Sequence, residues 1–253
     1  MSPLAVREIE ARSILNASKI YDYCVNPYTG CQVGCAYCYA ALFMRRYSGH
    51  SEPWGEFVDA KVNAPALLAK QIVKARRGTI WFASVCDCYQ PLEERYGLTR
   101  RSLEVLAGRD FPVVIQTKSA RVRRDLDVIR RIPDVEVGFS IASDDETTLR
   151  TFERMSSPVE ERIEALREFK AAGVPTFAFA GPLLPGNPER LAALLDGAVD
   201  RVLIDRMNYV PAVKAFYARH GLLEALTDSF FTTQTARLSK ALRARGILVE
   251  RVF

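Results

Sequence analysis

The chain has little of what marks several common protein classes. It contains two histidines and six cysteines in 253 residues, and the cysteines are clustered rather than spread along the chain. They are too few and too local for a disulfide scaffold in a chain of this length. The cysteines therefore point to metal binding or redox chemistry in a reducing compartment.

Long apolar runs are also missing. No run reaches the roughly 18 uncharged residues that a membrane helix requires, and charges lie where a signal peptide would have its apolar core. We therefore expect a cytoplasmic protein with no membrane partner. The apolar fraction of 49% suits one domain spanning residues 1–253, which we expect to be a monomer. The net charge of +5 allows a nucleic-acid partner without requiring one.

Short apolar runs alternate with helical patterns from about residue 18 onward. The runs are rich in β-branched or aromatic residues and lack strict alternation, which is typical of strands buried on both faces. They lie at residues 18–25, 79–85, 111–117, 135–142, 176–182 and 200–205. This order predicts parallel strands with helical crossovers, which form either a barrel or an open sheet. Residues 207–253 read mainly as packed helices, a C-terminal extension of the core at about 18–206.

Two helices have clear end signals. Ser157, Pro158 and Glu160 predict a capped helix start, and Gly173 predicts the end of that helix. A second helix is predicted over 63–76, which begins with an asparagine and an early proline.

The stretch NPYTGCQVGCAYCYA, residues 26–40, holds Cys31, Cys35 and Cys38. A structural zinc ion needs four protein ligands, and no fourth candidate lies nearby in the sequence. A cluster of four irons and four sulfides can instead use three thiolates and leave one iron open to a non-protein ligand. Two glycines in the stretch would let the loop bend around such a bulky group. The missing fourth ligand therefore favours an iron–sulfur cluster.

The spacing C-x-x-x-C-x-x-C, with Tyr37 before the last cysteine, resembles the radical S-adenosylmethionine (radical SAM) superfamily. Four further segments resemble its spore photoproduct lyase-like branch: CDCYQPLEERYGLTR, QTKSARVRRDLDVI, GFSIAS and PLLPGNPE. The resemblance covers about residues 26–189.

This resemblance implies an α/β fold, a partial (β/α)6 TIM-type barrel, in which Cys31, Cys35 and Cys38 hold one 4Fe-4S cluster. In such enzymes the open iron binds S-adenosylmethionine (SAM). An electron from the cluster cleaves SAM to methionine and a 5′-deoxyadenosyl radical, which abstracts hydrogen from the substrate. An electron donor such as flavodoxin or ferredoxin is implied as a partner.

Four residues carry over as candidate SAM contacts. Lys118 matches a lysine that contacts the cofactor, where a positive charge suits the SAM carboxylate. Ser140 matches a position that bonds the ribose or the amino-acid end, and the backbone of Tyr37 is expected near the adenine. Arg162 either reaches the cofactor or pairs on the surface with a glutamate of its own helix.

The chain departs from the superfamily pattern after the second predicted strand. Many radical SAM enzymes have Gly-Gly-Glu there, whereas this chain has SVCDCYQP. The branch shares Asp87, while Cys86 and Cys88 replace Thr and Pro. We place these three residues and Tyr89 among the candidate catalytic residues. Tyr89 and Gln90 line the substrate space or simply shape a proline-containing turn.

Three interpretations of the additional cysteines stay open. In the lyase a cysteine of this region returns a hydrogen atom to the product radical, and Cys88 lies nearest that position. Alternatively, Cys86 and Cys88, with Cys24, bind a second iron–sulfur cluster. The third interpretation is that they are small buried residues, because free cysteine packs as a small hydrophobe.

We therefore expect a radical SAM enzyme of lyase or transferase type whose unidentified substrate is a nucleic acid. A peptide or a small molecule is the alternative substrate. Two alternative hypotheses belong to other functional classes. The chain would be a non-catalytic nucleic-acid-binding protein with a structural metal, or a thiol redox protein that uses Cys35 and Cys38. His50 and His220 are expected on the surface.

Overall fold

The computed structural model describes residues 4–252, without the side chains of residues 45 and 46. The chain divides into two compact units. The first contains the described residues up to 34 together with 40–137, and the second contains 35–39 together with the described residues from 138 onward. Within residues 4–252, no helix combines the length and apolar character needed to cross a bilayer.

Two sheets contribute to the first unit. The elements up to residue 129 are β1 (Ala5–Ile9), β2 (Leu15–Ala17), β3 (Tyr23–Val25), β4 (Tyr28–Thr29), α1 (Tyr39–Ser48), β5 (Phe57–Lys61), α2 (Ala64–Gln71), β6 (Ile80–Phe82), α3 (Glu93–Tyr96), α4 (Leu98–Leu106), β7 (Val113–Thr117), a 3-10 helix (Ala120–Asp125) and α5 (Leu126–Ile129). A small sheet has the order β1-β5-β4. In the other sheet β3, β6 and β7 pair in parallel, and β2 runs antiparallel to β3.

Parallel strands alternate with helices in the second unit. The elements from residue 135 onward are β8 (Val135–Ser140), α6 (Glu146–Phe152), α7 (Val159–Ala171), β9 (Thr176–Ala180), α8 (Pro188–Leu195), β10 (Arg201–Ile204), α9 (Val210–Arg219), a 3-10 helix (Leu223–Leu226), α10 (Asp228–Arg243) and β11 (Leu248–Arg251). The strands have the order β8-β9-β10-β11, and β10 pairs in parallel with both β9 and β11.

The predicted parallel strands are present as β3, β6, β7, β8, β9 and β10, each shorter than its apolar run. Burial on both faces explains why the runs were continuous; in β7, for example, Val113, Val114 and Ile115 are all buried. The C-terminal extension contains α9 and α10 as expected, but it also ends in β11. Because β11 contains the charged residues Glu250 and Arg251, it has no apolar run that would predict a strand. Such charges are typical of edge strands.

The helix ends differ from their predicted caps. Pro158 is the N-cap of α7, and Ser157 does not cap it; the Ser157 carbonyl instead accepts a hydrogen bond from Arg162 at 2.7 Å. The second predicted helix, α2, is shorter than expected. Asn63 precedes it without a side-chain cap bond, because its amide group exchanges two 2.9 Å hydrogen bonds with the backbone of Ala11.

Candidate functional site

In the second unit, the loop that carries Cys35 and Cys38 is attached to the end of α6. The amide of Ala36 donates to the carbonyl of Phe152 at 2.8 Å. The amide of Cys38 donates to the carbonyl of Cys35 at 3.1 Å, which closes a tight turn between the two cysteines. These bonds join backbone groups, so the path of the loop does not depend on the side chains of the two cysteines.

A side-chain contact reinforces this attachment. The hydroxyl of Tyr37 donates to the carboxylate of Glu153, which is fully buried. Burial and the neighbouring negative charge of Glu153 raise the pKa of Tyr37, so its hydroxyl stays protonated and remains a donor. Arg162 supplies the opposite charge, with its Nη2 atom 2.9 Å from Oε2 of Glu153. The three groups form one polar set, in which Glu153 and Arg162 are fully buried and Tyr37 is half-buried.

Arg162 is entirely buried in the second unit. Its Nε donates to the carbonyl of Ser157 at 2.7 Å, and its Nη1 donates to the carbonyl of Ser140 at 2.8 Å. The interpretation that Arg162 makes a surface pair with a glutamate of its own helix is therefore wrong. Through its guanidinium, the C-terminal end of β8, where Ser140 lies, is linked to Glu153 and so to the residue beside the last cysteine.

In the first unit, the sulfur of Cys31 receives a hydrogen bond. The amide of Asp87 donates to Cys31 Sγ at 3.3 Å. The Asp87 carboxylate in turn accepts from the hydroxyl of Thr117 at 2.6 Å, the amide of Lys118 at 2.7 Å and the amide of Tyr89 at 2.9 Å. Lys118 directly follows β7, at the strand end where the sequence placed it. The carboxylate thus braces its own loop against the end of β7.

Gln90 holds the residues on either side of Cys31. Its Oε1 accepts from the amide of Gln32 at 2.9 Å, and its Nε2 donates to the carbonyl of Gly30 at 3.4 Å. Gly30 has φ +87°, and a Cβ there would lie 2.3 Å from the carbonyl oxygen of Phe57. Only glycine fits this position. The fully buried Gln90 therefore clamps a segment whose backbone is already confined.

Asn26 connects the end of β3 to the loop after β6. Its Oδ1 accepts from the amide of Val85 at 3.0 Å and lies 3.8 Å from the thiol of Cys86, and its Nδ2 donates to Ser84 at 3.0 Å. The loop enters through Ala83, which has φ +69°. A non-glycine residue in this region is strained, so the surrounding contacts must hold the loop in place.

The two additional cysteines in this loop have different environments. Cys88 is completely buried, and burial raises the pKa of its thiol, which therefore keeps its proton at neutral pH. Cys86 is half-buried and packs beside Tyr28 and Leu98. Across the part of the chain that the structure describes, no three Cys, His, Asp or Glu side chains converge to hold a metal ion. A second cluster at Cys24, Cys86 and Cys88 stays a prediction.

The expectation that His50 lies on the surface is wrong. The ring is buried and stacked on Phe57, with centroids 4.2 Å apart. Its Nε2 lies 2.8 Å from Asp59 and its Nδ1 lies 3.0 Å from Glu52. Two flanking carboxylates compensate for the burial of a polar ring. His220 is exposed, as expected.

Sequence reasoning missed Glu153 and the bridging role of Asn26. Asn26 is the first residue of the cysteine stretch, and this position was the only indication in the sequence that it has a role near the cysteines. Glu153 lies among charged residues in DDETTLRTFER, a composition typical of a solvated helix, and no local feature marks it as buried.

The profile of the Radical SAM superfamily matches residues 25–205. The chain belongs to the radical SAM superfamily. The match runs from the end of β3 to just past β10 and so includes the cysteine stretch and the strand ends described above.

Relatives of this radical SAM protein include proteins of archaea, bacteria and a phage. It is 34% identical over 186 residues to an uncharacterized protein of Methanocaldococcus jannaschii, covering 73% of this chain and 70% of that protein. An uncharacterized protein of Mycobacterium tuberculosis is 30% identical over 72% of this chain and 57% of its own length. A radical SAM Nalpha-GlyT isomerase of Pseudomonas phage M6 is 23% identical, over 82% of this chain and 45% of that protein.

Solved structures establish the fold. Spore photoproduct lyase complexed with dinucleoside spore photoproduct matches with a TM-score of 0.72 at 17% identity, covering 98% of this chain and 82% of that chain. SuiB of Streptococcus suis bound to precursor peptide SuiA matches with a TM-score of 0.63 at 12% identity, covering 99% of this chain and 49% of that chain. The predicted α/β fold, the radical SAM type of partial TIM barrel with a C-terminal extension, is confirmed.

Proposed function

We propose that the protein is a radical SAM enzyme in which Cys31, Cys35 and Cys38 bind a 4Fe-4S cluster. When bound, the cluster supplies the electron that cleaves SAM and so generates a 5′-deoxyadenosyl radical for hydrogen abstraction from the substrate. Three thiolates suit this group, because three protein ligands would leave one iron open to SAM. A structural zinc ion would require a fourth ligand, and the sequence around these cysteines offers no candidate.

The observation that carries the proposal is the hydrogen bond from the Asp87 amide to Cys31 Sγ at 3.3 Å. Amide donors directed at cysteine sulfur are a feature of iron–sulfur sites, where they compensate for the charge of the thiolate. In the second unit, the attachment of Ala36 and Tyr37 to α6 holds the other two cysteines independently of any metal. A loop held in this way is preorganised for its ligand, which lowers the cost of binding.

Lys118, Ser140 and Tyr37 are the proposed SAM-contacting residues, and Arg162 is proposed to position Ser140. Lys118 directly follows β7, and Ser140 is the last residue of β8, the next strand along the chain. Barrel enzymes bind their ligands at the C-terminal ends of such strands. Arg162 would act by holding the carbonyl of Ser140, because its own nitrogens already contact protein groups. Hydrogen return to the product by Cys88, or by Cys86, stays a prediction.

The test is an anaerobic reconstitution with iron and sulfide, followed by reduction with dithionite and addition of SAM. We expect about four irons per chain and the formation of 5′-deoxyadenosine. About eight irons would instead indicate a second cluster. A fully loaded cluster that yields no 5′-deoxyadenosine would contradict the proposal and favour a structural metal.

A nucleic acid is the proposed substrate. In the second unit, Tyr39 and Tyr209 stack with ring centroids 6.5 Å apart and an interplanar angle of 19°. Both rings are partly exposed, at 38% and 40%, and Tyr39 directly follows Cys38. Exposed aromatic rings are the platform on which proteins stack unpaired bases. The solved lyase complex contains a dinucleoside lesion, which supports the same class of substrate.

Tyr209→Ala is expected to weaken the binding of a short single-stranded oligonucleotide about tenfold or more, because stacking contributes roughly 1–3 kcal/mol per base. Fluorescence anisotropy with a labelled oligonucleotide and the reconstituted protein measures this effect. Tyr209→Phe keeps the ring and should bind as the unaltered protein does. Equal affinities of the Ala and Phe variants for the oligonucleotide would exclude base stacking at Tyr209 and favour a peptide substrate.

A further inference from the structure

We propose that the loop of residues 83–90, here called the Asp87 loop, sets the reduction potential of the cluster that Cys31 helps to bind. The inference rests on the proposed function and adds a role for residues that do not ligate the metal. The Asp87 amide is the acting group, since it donates to Cys31 Sγ at 3.3 Å. Hydrogen bonds to cluster sulfurs are among the factors that determine the potential of iron–sulfur clusters.

The direction of the effect follows from charge. Reduction adds an electron to the cluster, so the sulfur ligands carry more negative charge in the reduced state. A donor that points at Cys31 Sγ stabilises that state more than the oxidised one and therefore raises the potential. A backbone amide achieves this without adding a formal charge that would also change the attraction of SAM or substrate.

The loop is held at three places, and this is why its amide can keep a defined direction. Asn26 bonds the loop at Ser84 and Val85, next to the strained backbone of Ala83. Gln90 clamps the other end of the loop to the segment around Cys31. A loop with this many independent bonds does not relax freely when a metal site is oxidised or reduced.

The third place is the carboxylate of Asp87, which accepts hydrogen bonds from Thr117, Lys118 and Tyr89. These donors offset a negative charge that would otherwise oppose reduction of a nearby cluster. Removing one of them leaves that charge less compensated and also loosens the amide that faces Cys31. Both changes lower the potential, so the sign of the effect does not depend on which dominates.

Thr117→Val removes one donor with little change in shape or charge. We expect the equilibrium constant for one-electron reduction of the cluster to fall at least threefold. This corresponds to a reduction potential lower by roughly 28 mV, at about 59 mV per tenfold change. An anaerobic potentiometric titration without SAM, followed by electron paramagnetic resonance, measures this shift. Iron content should remain that of the unaltered protein.

Thr176→Val is the matched control. Thr176 is a similarly buried threonine whose hydroxyl donates to the carbonyl of Ala198 at 2.9 Å, at the start of β9. Its loss should affect stability but leave the potential unchanged. A shift equal to that of Thr117→Val would show that general loosening, and not the Asp87 loop, lowers the potential.

Gln90→Met provides a second, uncharged test of the loop and should lower the potential in the same direction. The inference is overturned if both variants keep the potential of the control, or if both lose iron, because the loop would then serve cluster assembly alone. A cluster that titrates in this way but yields no 5′-deoxyadenosine would end the proposed function and leave the tuning role intact.

Discussion

Replacement of Cys35 by alanine is expected to reduce 5′-deoxyadenosine formation more than about 100-fold, since even outer-shell partners of a metal site cost roughly 10–100-fold. The loop should keep its path, because the bonds that attach it use the amides of Ala36 and Cys38. The variant therefore tests a ligand rather than the fold. Iron content and 5′-deoxyadenosine are measured after anaerobic reconstitution, and circular dichroism checks the fold.

Cys24→Ala is the control for this substitution. Cys24 lies in β3, outside the cysteine stretch, and it is a free, half-buried thiol. Its loss should leave iron content and SAM cleavage unchanged. If Cys24→Ala lost iron to the same extent, a cluster involving Cys24 would have to be considered again. If Cys35→Ala retained both iron and activity, the proposed ligand set would be wrong.

Arg162→Met is expected to lower the free energy of unfolding by about 3–5 kcal/mol, the usual cost of leaving one partner of a buried ion pair uncompensated. Glu153 would stay buried with the neutral hydroxyl of Tyr37 as a hydrogen-bond donor but without the positive charge of Arg162. The carbonyls of Ser140 and Ser157 would each lose a donor as well. Urea unfolding followed by circular dichroism measures the loss.

Two further variants identify the cause of the loss of stability. Arg167→Met changes an exposed arginine of the same helix and should alter stability by less than about 0.5 kcal/mol. Arg162→Met combined with Glu153→Gln removes the unpaired charge and should recover part of the stability. No recovery in the double variant would mean that the lost carbonyl contacts, and not the charge of Glu153, account for the destabilisation.

Local sequence was sufficient for the strands and for the cysteine stretch. Apolar runs predicted the six strands β3, β6, β7, β8, β9 and β10, because residues buried on both faces leave a continuous signal. The small sheet of β1, β4 and β5 was not predicted. β4 has only two residues, β1 carries charges at exposed positions and β5 is interrupted by Asp59, so no apolar run stands out.

Long-range pairing could not be predicted in the same way. Tyr37 and Glu153 are 116 residues apart, and Gln90 reaches residues about 60 positions earlier in the chain. Nearer partners also escape prediction: Glu153 compensates the buried Arg162, and Asp59 and Glu52 flank the buried His50. An isolated sequence window shows a charged or polar residue and predicts a solvated one, because burial of such groups is rare without a partner.

The sequence by itself indicated the superfamily, the six parallel strands with their helical crossovers and the three proposed ligands, because each leaves a pattern along the chain. Only the tertiary structure decided what surrounds those ligands. It directs the Asp87 amide at Cys31, clamps Gly30 with Gln90 and places Glu153 behind Tyr37. Each of these contacts joins residues at least 56 positions apart in the chain, so it exists only where the fold brings the two segments together.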